Sequence, residues 1–253
     1  VQTKNEDYNV RQSNLYIILY AVALTIVCGG ILAFASQSLK PLQDANVELE
    51  RKRNILATVM ELKDGDDINA IYKAKVKESV LDFEGNTKEG INAVDVDLVK
   101  EYKKLPADRL LPVYEFRNEA DPSKIDNVVL PTYGFGLWKD ISGFLALRSD
   151  LNTIQGISLQ HLGETPGLGA RIVDSEIQNR YKGKSIFDGD VLKSVEMQKG
   201  EGNDYSNEQH KVDGMSGATL TAKGVNNMLM DYLSCYKNYL KKNQQNLSLN
   251  TNL

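Results

Sequence analysis

The stretch NVVLPTYGFGLW, Asn127 to Trp138, followed almost at once by ISGFLALRSD, Ile141 to Asp150, decides the fold class. Both runs are short, rich in β-branched and aromatic residues, and punctuated by glycine, which is the pattern of strands rather than helices. LPVYEFRN, Leu111 to Asn118, precedes them and TIQGISLQHL, Thr153 to Leu162, follows, with the same character. Together they imply a twisted, largely antiparallel sheet. The run from Thr219 is different: Val225, Met228, Leu229, Tyr232, Tyr236 and Leu240 recur at spacings of three and four. That spacing puts them on one buried helix face. Ser216 is expected to cap this helix, Lys237, Lys241 and Lys242 to sit at its negative end, and the polar tail NQQNLSLNTNL, 243 to 253, to fray. The fold class is therefore α+β.

The N-terminal region belongs to another environment. LYIILYAVALTIVCGGILAFA, Leu15 to Ala35, is almost wholly apolar, and no charge falls between Arg11 and Lys40. Such a run is long enough to span a bilayer as one helix. AFA at 33 to 35 has the small-residue look of a signal cleavage site, but the apolar run exceeds the usual signal core, which favours an uncleaved single-pass anchor. Lys4 and Arg11 precede the span, and Lys40, Arg51, Lys52 and Arg53 follow it, so charge leaves the orientation open. In PLQDANVELERKRNILATVMEL, from Pro41, residues Leu42, Ala45, Leu49, Leu56 and Val59 form one stripe of a helix leading out of the membrane. The expected organisation is a tail over 1–14, a transmembrane helix over 15–35, an exit helix over 36–63 and a folded domain over 64–253.

Acids and bases are mixed along the chain, with a net charge of -4, so no extended basic surface for nucleic acid is expected. The two cysteines, Cys28 and Cys235, lie in segments of different character, which excludes a disulfide framework. Cys28, beside Gly29 and Gly30, reads either as a small residue at a helix contact or as a redox or metal ligand shared with another membrane component. With two histidines, His161 and His210, and no CxxC or HExxH, no metal-ligand set is expected. No catalytic residues can be assembled into a nucleophile or acid–base constellation, so demanding chemistry has to come from an organic cofactor.

Three small-residue loops stand out. DGMSGATLTAKG, Asp213 to Gly224, opens the C-terminal helix; Gly214 and Gly217 let a ligand approach the backbone, while Ser216, Thr219 and Thr221 supply hydroxyls. A helix N-terminus presents unsatisfied N–H groups that attract phosphate, although a plain capped helix has the same look. GETPGLGARI, Gly163 to Ile172, holds Leu168 between Gly167 and Gly169 after a turn stiffened by Pro166, either as a wall for a flat ring or as a tight strand-to-helix turn. PTYGFGLW delivers Leu137 and the only tryptophan, Trp138, behind two glycines; a core aromatic at a sheet edge would look the same.

In combination these loops resemble the NqrC family, a component of the sodium-translocating NADH:quinone reductases, and more distantly the G component of the Rnf complexes. Both are membrane-anchored carriers of covalently bound FMN. DGMSGAT is similar to the flavinylation pattern, ETPGLG to the flavin-site loop and GLW to the stretch that brings a tryptophan to the flavin. GFGLW and the charged ANVELERKRNIL helix look like NqrC. The resemblance implies an FMN-binding domain in an oxidoreductase complex, with an FMN transferase esterifying the flavin phosphate to Thr219. It implies that Asp213 starts the transferase's recognition pattern and that Ser216, Gly217 and Ala218 keep the approach open. Leu168 and Trp138 would flank the ring, with Leu137, Glu164, Thr165 and Gly167 nearby; Phe135 and His161 stay open, the latter between flavin and solvent. Electrons would pass from a membrane iron centre to the FMN of NqrB and on towards quinone, with NqrB, NqrD and NqrE as partners. The location implied is the bacterial inner membrane with the flavin domain on the periplasmic side. A single span without an intramembrane acid makes a poor sodium channel. The rival from another class is a membrane-tethered, non-redox ligand-binding module, which would be colourless.

Overall fold

The computed structural model describes residues 14–118, 121 and 124–251, with side chains through 245, so the expected tail lies outside the described residues except for Asn14. The chain divides into two compact units between Glu50 and Arg51.

Helix α1, Asn14–Ala57, carries the apolar run and the stripe that follows as far as Leu56 on one continuous element, with Pro41 inside it; Val59 lies in the turn beyond its end, so the helix stops short of the expected 63. It is long and apolar enough to cross a membrane, and the window that qualifies has no buried residue. Leu15, Ile26, Leu32 and Phe34 are all exposed, as lipid-facing side chains must be. Its polar Thr25 hydroxyl donates to the Ala21 carbonyl one turn back, 2.8 Å away, which satisfies it without water.

The second unit is built on an antiparallel sheet, as the sequence pattern implies, with five strands. Strands β1 (Val76–Leu81), β2 (Leu111–Arg117), β3 (Ile125–Phe135), β4 (Asp140–Arg148) and β5 (Ile154–His161) lie in that order, each antiparallel to the next. Helix α2, Ile68–Lys75, leads directly into β1; α3, Leu98–Tyr102, and α4, Ser175–Asn179, are single-turn pieces between strands or after them. Two small ladders complete the fold: β6 (Phe187–Asp188) pairs antiparallel with β7 (Val191–Leu192), and β8 (Glu196–Met197) pairs parallel with β9 (Lys211–Val212).

The last helix, α5, runs Thr219–Thr251 across the sheet. Val225, Met228, Leu229, Tyr232, Tyr236 and Leu240 are all buried, and they pack with Leu130, Tyr133, Leu145 and Leu147 of the sheet in one core. Close approach depends on glycines on both partners. A Cβ on Gly134 of β3 would sit 2.8 Å from the Met228 Cβ, and one on Gly224 would collide with the Phe135 carbonyl. The end of α1 is also buried in this unit, since Ile55 and Leu56 are wholly inaccessible.

Two expectations about α5 need correction. Its tail is helical to Thr251, so Lys237, Lys241 and Lys242 lie inside the helix and not at its end. Two of them do other work: Lys241 pairs with Asp190 and lies over the Phe187 ring, and Lys242 reaches Asn86. Ser216 does not cap the helix. Gly217 at φ +74° turns the chain so that Ala218 closes on the Met215 carbonyl, and the first helical bond runs from the Ala222 N–H to Ala218. Alanine thus holds the capping position and brings no side-chain oxygen to it.

Candidate functional site

The β3–β4 hairpin closes between Phe135 and Asp140, with the Gly136 N–H donating to the Lys139 carbonyl at 2.9 Å. This short turn has no room to fold its side chains inward, so Leu137 and Trp138 stand out from it. Trp138 is 67% exposed, which rules out a core aromatic at a sheet edge. Its indole N–H donates to the Thr165 hydroxyl oxygen at 3.2 Å, so the large ring is held although it is in solvent.

Thr165 belongs to the loop that follows β5. Its carbonyl accepts from the Leu168 and Ala170 N–H groups, both at 3.1 Å, and Gly167 supplies the left-handed residue, φ +73°, that the tight turn needs. Leu168 is left 41% exposed and lies against Gly217, where an added Cβ would come within 2.8 Å of its side chain. Trp138, Thr165, Leu168 and Gly217 are thus brought into one neighbourhood from three separate loops.

Glu164 is the tie among those loops. Its buried carboxylate accepts from the Trp138 N–H at 3.0 Å and from the Thr221 hydroxyl at 2.5 Å, while its own N–H donates to the His161 Nδ1 at 3.3 Å. The pocket for it exists because Gly136 and Gly169 have no Cβ; one on either would collide with the carboxylate oxygens. Burial pushes its pKa up, but the Thr221 hydroxyl and the N–H groups of Trp138, Lys139 and Leu137 outweigh that and hold it below the usual value. Glu164 therefore remains an anion that gathers donors from the hairpin and the helix. His161 takes part in this loop through its ring nitrogen.

The turn ahead of α5 exposes Ser216, Gly217 and Thr219 and buries Ala218 and Thr221. Thr219 is the first residue of the helix, so its hydroxyl is exposed beside first-turn N–H groups that have no intrahelical acceptor. Behind the turn lies a set of charges that sequence reading missed. Glu201 takes a two-pronged pair from Arg171, at 2.9 and 2.7 Å, a further bond from Arg180 at 3.3 Å, and the Ser216 N–H at 3.0 Å. Arg171 first, then the Ser216 N–H, hold its carboxyl down at about 2 against the cost of burial. The nearest of these partners is fifteen positions away in sequence, and no local pattern connects them. Among the described residues no cluster of three histidine, cysteine or acidic side chains is placed to hold a metal ion.

Residues 136–234, which contain the second loop, the turn ahead of α5 and the Gly136–Trp138 end of the hairpin loop, match the FMN-binding domain family. Across 88% of its length the chain is 32% identical to the NqrC component of the Na(+)-translocating NADH-quinone reductase of Pseudomonas aeruginosa, covering 92% of that protein. The chain belongs to the NqrC family of the Na(+)-translocating NADH-quinone reductases. The Neisseria meningitidis NqrC is also 32% identical, over 82% of the chain and 85% of its own length. The crystal structure of NqrC from Parabacteroides distasonis superposes with a TM-score of 0.70 at 32% identity, covering 80% of this chain and 96% of that one. That of Shewanella oneidensis NqrC gives 0.65 at 28%, covering 76% and 97%.

This NqrC-type site has what FMN requires. Leu168, Trp138 and Leu137 offer exposed apolar and aromatic surface to a flat ring, and Gly217, having no Cβ, lets Leu168 lie against the turn ahead of α5. A helix start with alanine at its cap leaves room and N–H groups for a phosphate. Thr165 and Gly167 line the same loop, and both are exposed.

Proposed function

We propose that this chain carries FMN as a phosphoester on Thr219 and serves as an electron carrier of the Na(+)-translocating NADH:quinone reductase. The observation that carries the reading is the convergence of three loops: exposed Trp138 and Leu168 are held beside the turn that ends on the exposed Thr219 hydroxyl. FMN, when bound, supplies one- and two-electron redox chemistry. The chain's own residues supply the rest. Thr219 anchors the phosphate at the positive end of α5, and Ser216, Gly217 and Ala218 keep the approach small. Leu168 and Trp138 flank the ring, Thr165 fixes the indole, and Glu164 holds the hairpin to the helix. Glu164 acts from underneath, since its carboxylate is committed to Trp138 and Thr221.

The carrier relays electrons from a membrane iron centre to the FMN of NqrB, towards quinone, with NqrB, NqrD and NqrE as its partners. An FMN transferase installs the flavin. Residues 15–35 cross the bacterial inner membrane, and residues 64–253 form the flavin domain on the periplasmic side. The match to the FMN-binding domain family supports this reading over a colourless ligand-binding module.

Leu168→Asp tests it. A carboxylate against the ring opposes the negative charge that builds on reduction and admits water to an apolar contact. The side chain is partly exposed, so the fold tolerates the change. The variant is expected to be fully labelled and assembled, with a lower flavin potential and slower quinone reduction, while NADH oxidation by artificial acceptors stays near normal. An assembled, labelled variant with unchanged potential and quinone reduction would show that the 163–172 loop does not contact the ring.

A further inference from the structure

The turn proposed to be labelled is locked from behind. Of residues 213–219 only Ser216, Gly217 and Thr219 are exposed; Gly214, Met215 and Ala218 are buried. Asp213 is only 15% exposed, and both its oxygens are engaged: one accepts the Gly202 N–H at 2.7 Å, the other the Asn203 N–H and side-chain amide, each at 3.2 Å. In return Glu201 accepts the Ser216 N–H, so each of the two facing loops lends a carboxylate to the other's backbone. Arg180 spans both, reaching Glu201 and the carbonyls of Asp213 and Gly214. Gly214 is wedged so tightly that a Cβ would collide with the Gln198 and Gly200 carbonyls.

An enzyme that selects an acidic residue followed by small ones has to reach that carboxylate and the backbone between it and the acceptor hydroxyl. In the closed turn that carboxylate, the Asp213 and Gly214 carbonyls and the Ser216 N–H are all engaged from behind. We propose that Thr219 is modified only when the 213–218 turn opens away from the 200–203 loop, and that the clasp of Arg171, Glu201, Arg180 and Asp213 sets how often it opens. The inference rests on the covalent reading above. In the transfer itself the Thr219 Oγ forms a bond to the flavin-side phosphorus of a flavin dinucleotide and the phosphoanhydride breaks. A nucleoside monophosphate leaves, the hydroxyl proton passes to the transferase or solvent, and nothing is oxidised or reduced. Only the first event, exposure of the turn, is controlled by this chain.

The test uses the full-length unlabelled chain with flavin dinucleotide and a subsaturating amount of FMN transferase. Labelling rates are compared for the native sequence, Glu201→Gln and Arg171→Gln, alongside hydrogen exchange of the peptide covering 213–218. Loss of one charge-assisted pair should raise the open population, and with it both exchange and labelling, by about three- to tenfold, with the same final yield of label. The Arg171 variant keeps the Ser216 bond and serves if Glu201→Gln folds poorly. Faster exchange with unchanged or slower labelling would overturn the proposal, because the transferase would then be reading the closed turn. Unchanged exchange in both variants would overturn it too, since the clasp would not control opening. Absence of label on every chain, the native one included, would instead defeat the covalent reading.

Discussion

Thr219 and Thr221 are two positions apart and have opposite surroundings. Thr219 is exposed at the first position of α5, whereas Thr221 is 1% exposed with its hydroxyl donated to Glu164. Thr219→Ala should abolish covalent flavin and change stability by no more than about 0.5 kcal/mol, as surface substitutions do. Thr221→Ala should keep the label yet lose about 1.5–3 kcal/mol, because it removes a hydrogen bond to a buried anion. Flavin fluorescence of the denatured chains and urea titration separate the two effects; labelling lost in Thr221→Ala and kept in Thr219→Ala would reverse the assignment. At this scale the sequence picks out the exposed members of the candidate site. Small residues, Trp138 and Leu168 announce themselves by type and by their flanking glycines. The inward members were not legible, because the same Glu164 could face a ligand or a neighbour, and Glu201 meets Arg171 only after the chain has folded.

At the scale of elements, the crossing of α5 over β3 positions the hairpin that bears Trp138. Gly224→Ala pits two effects against each other. Alanine favours the helix by about 0.8–1.0 kcal/mol, but its Cβ meets the Phe135 carbonyl and the Gly136 Cα, which are backbone and cannot rotate away. The collision wins: the variant should be destabilised by about 1–3 kcal/mol in a urea titration. Equal or greater stability would mean that the helix and strand are further apart than this account requires. Strands β2 to β5 were evident from their β-branched, glycine-punctuated runs, and six helix positions from their spacing. Strand β1 was not, since VKESVL carries charge and is short. The extent of α5 is not legible, because the polar run after Lys242 has no apolar stripe to mark it as helix, yet the helix continues to Thr251.

At the scale of the molecule, the boundary that matters lies inside α1. The apolar span ends well before Ile55 and Leu56, which are in the core of the second unit. A chain beginning at Arg51 should therefore fold without detergent and melt close to the full-length domain. One beginning at residue 64 loses both side chains and should be destabilised by about 2–5 kcal/mol for each. Thermal melts of the two truncated chains decide it, and equal stability would remove the end of α1 from the core. Hydropathy alone marks where the membrane segment stops but not where the folded unit starts, because one helix serves both.

The central claim, that this chain is a covalent flavoprotein labelled at Thr219, is tested most directly by fragmenting the tryptic peptide Val212–Lys223 from the denatured protein in a mass spectrometer. The account predicts a peptide carrying the mass of FMN less one water, with the added mass confined to Thr219. An unmodified peptide from a protein that was yellow before denaturation, or a label on Ser216 or Thr221, would contradict it.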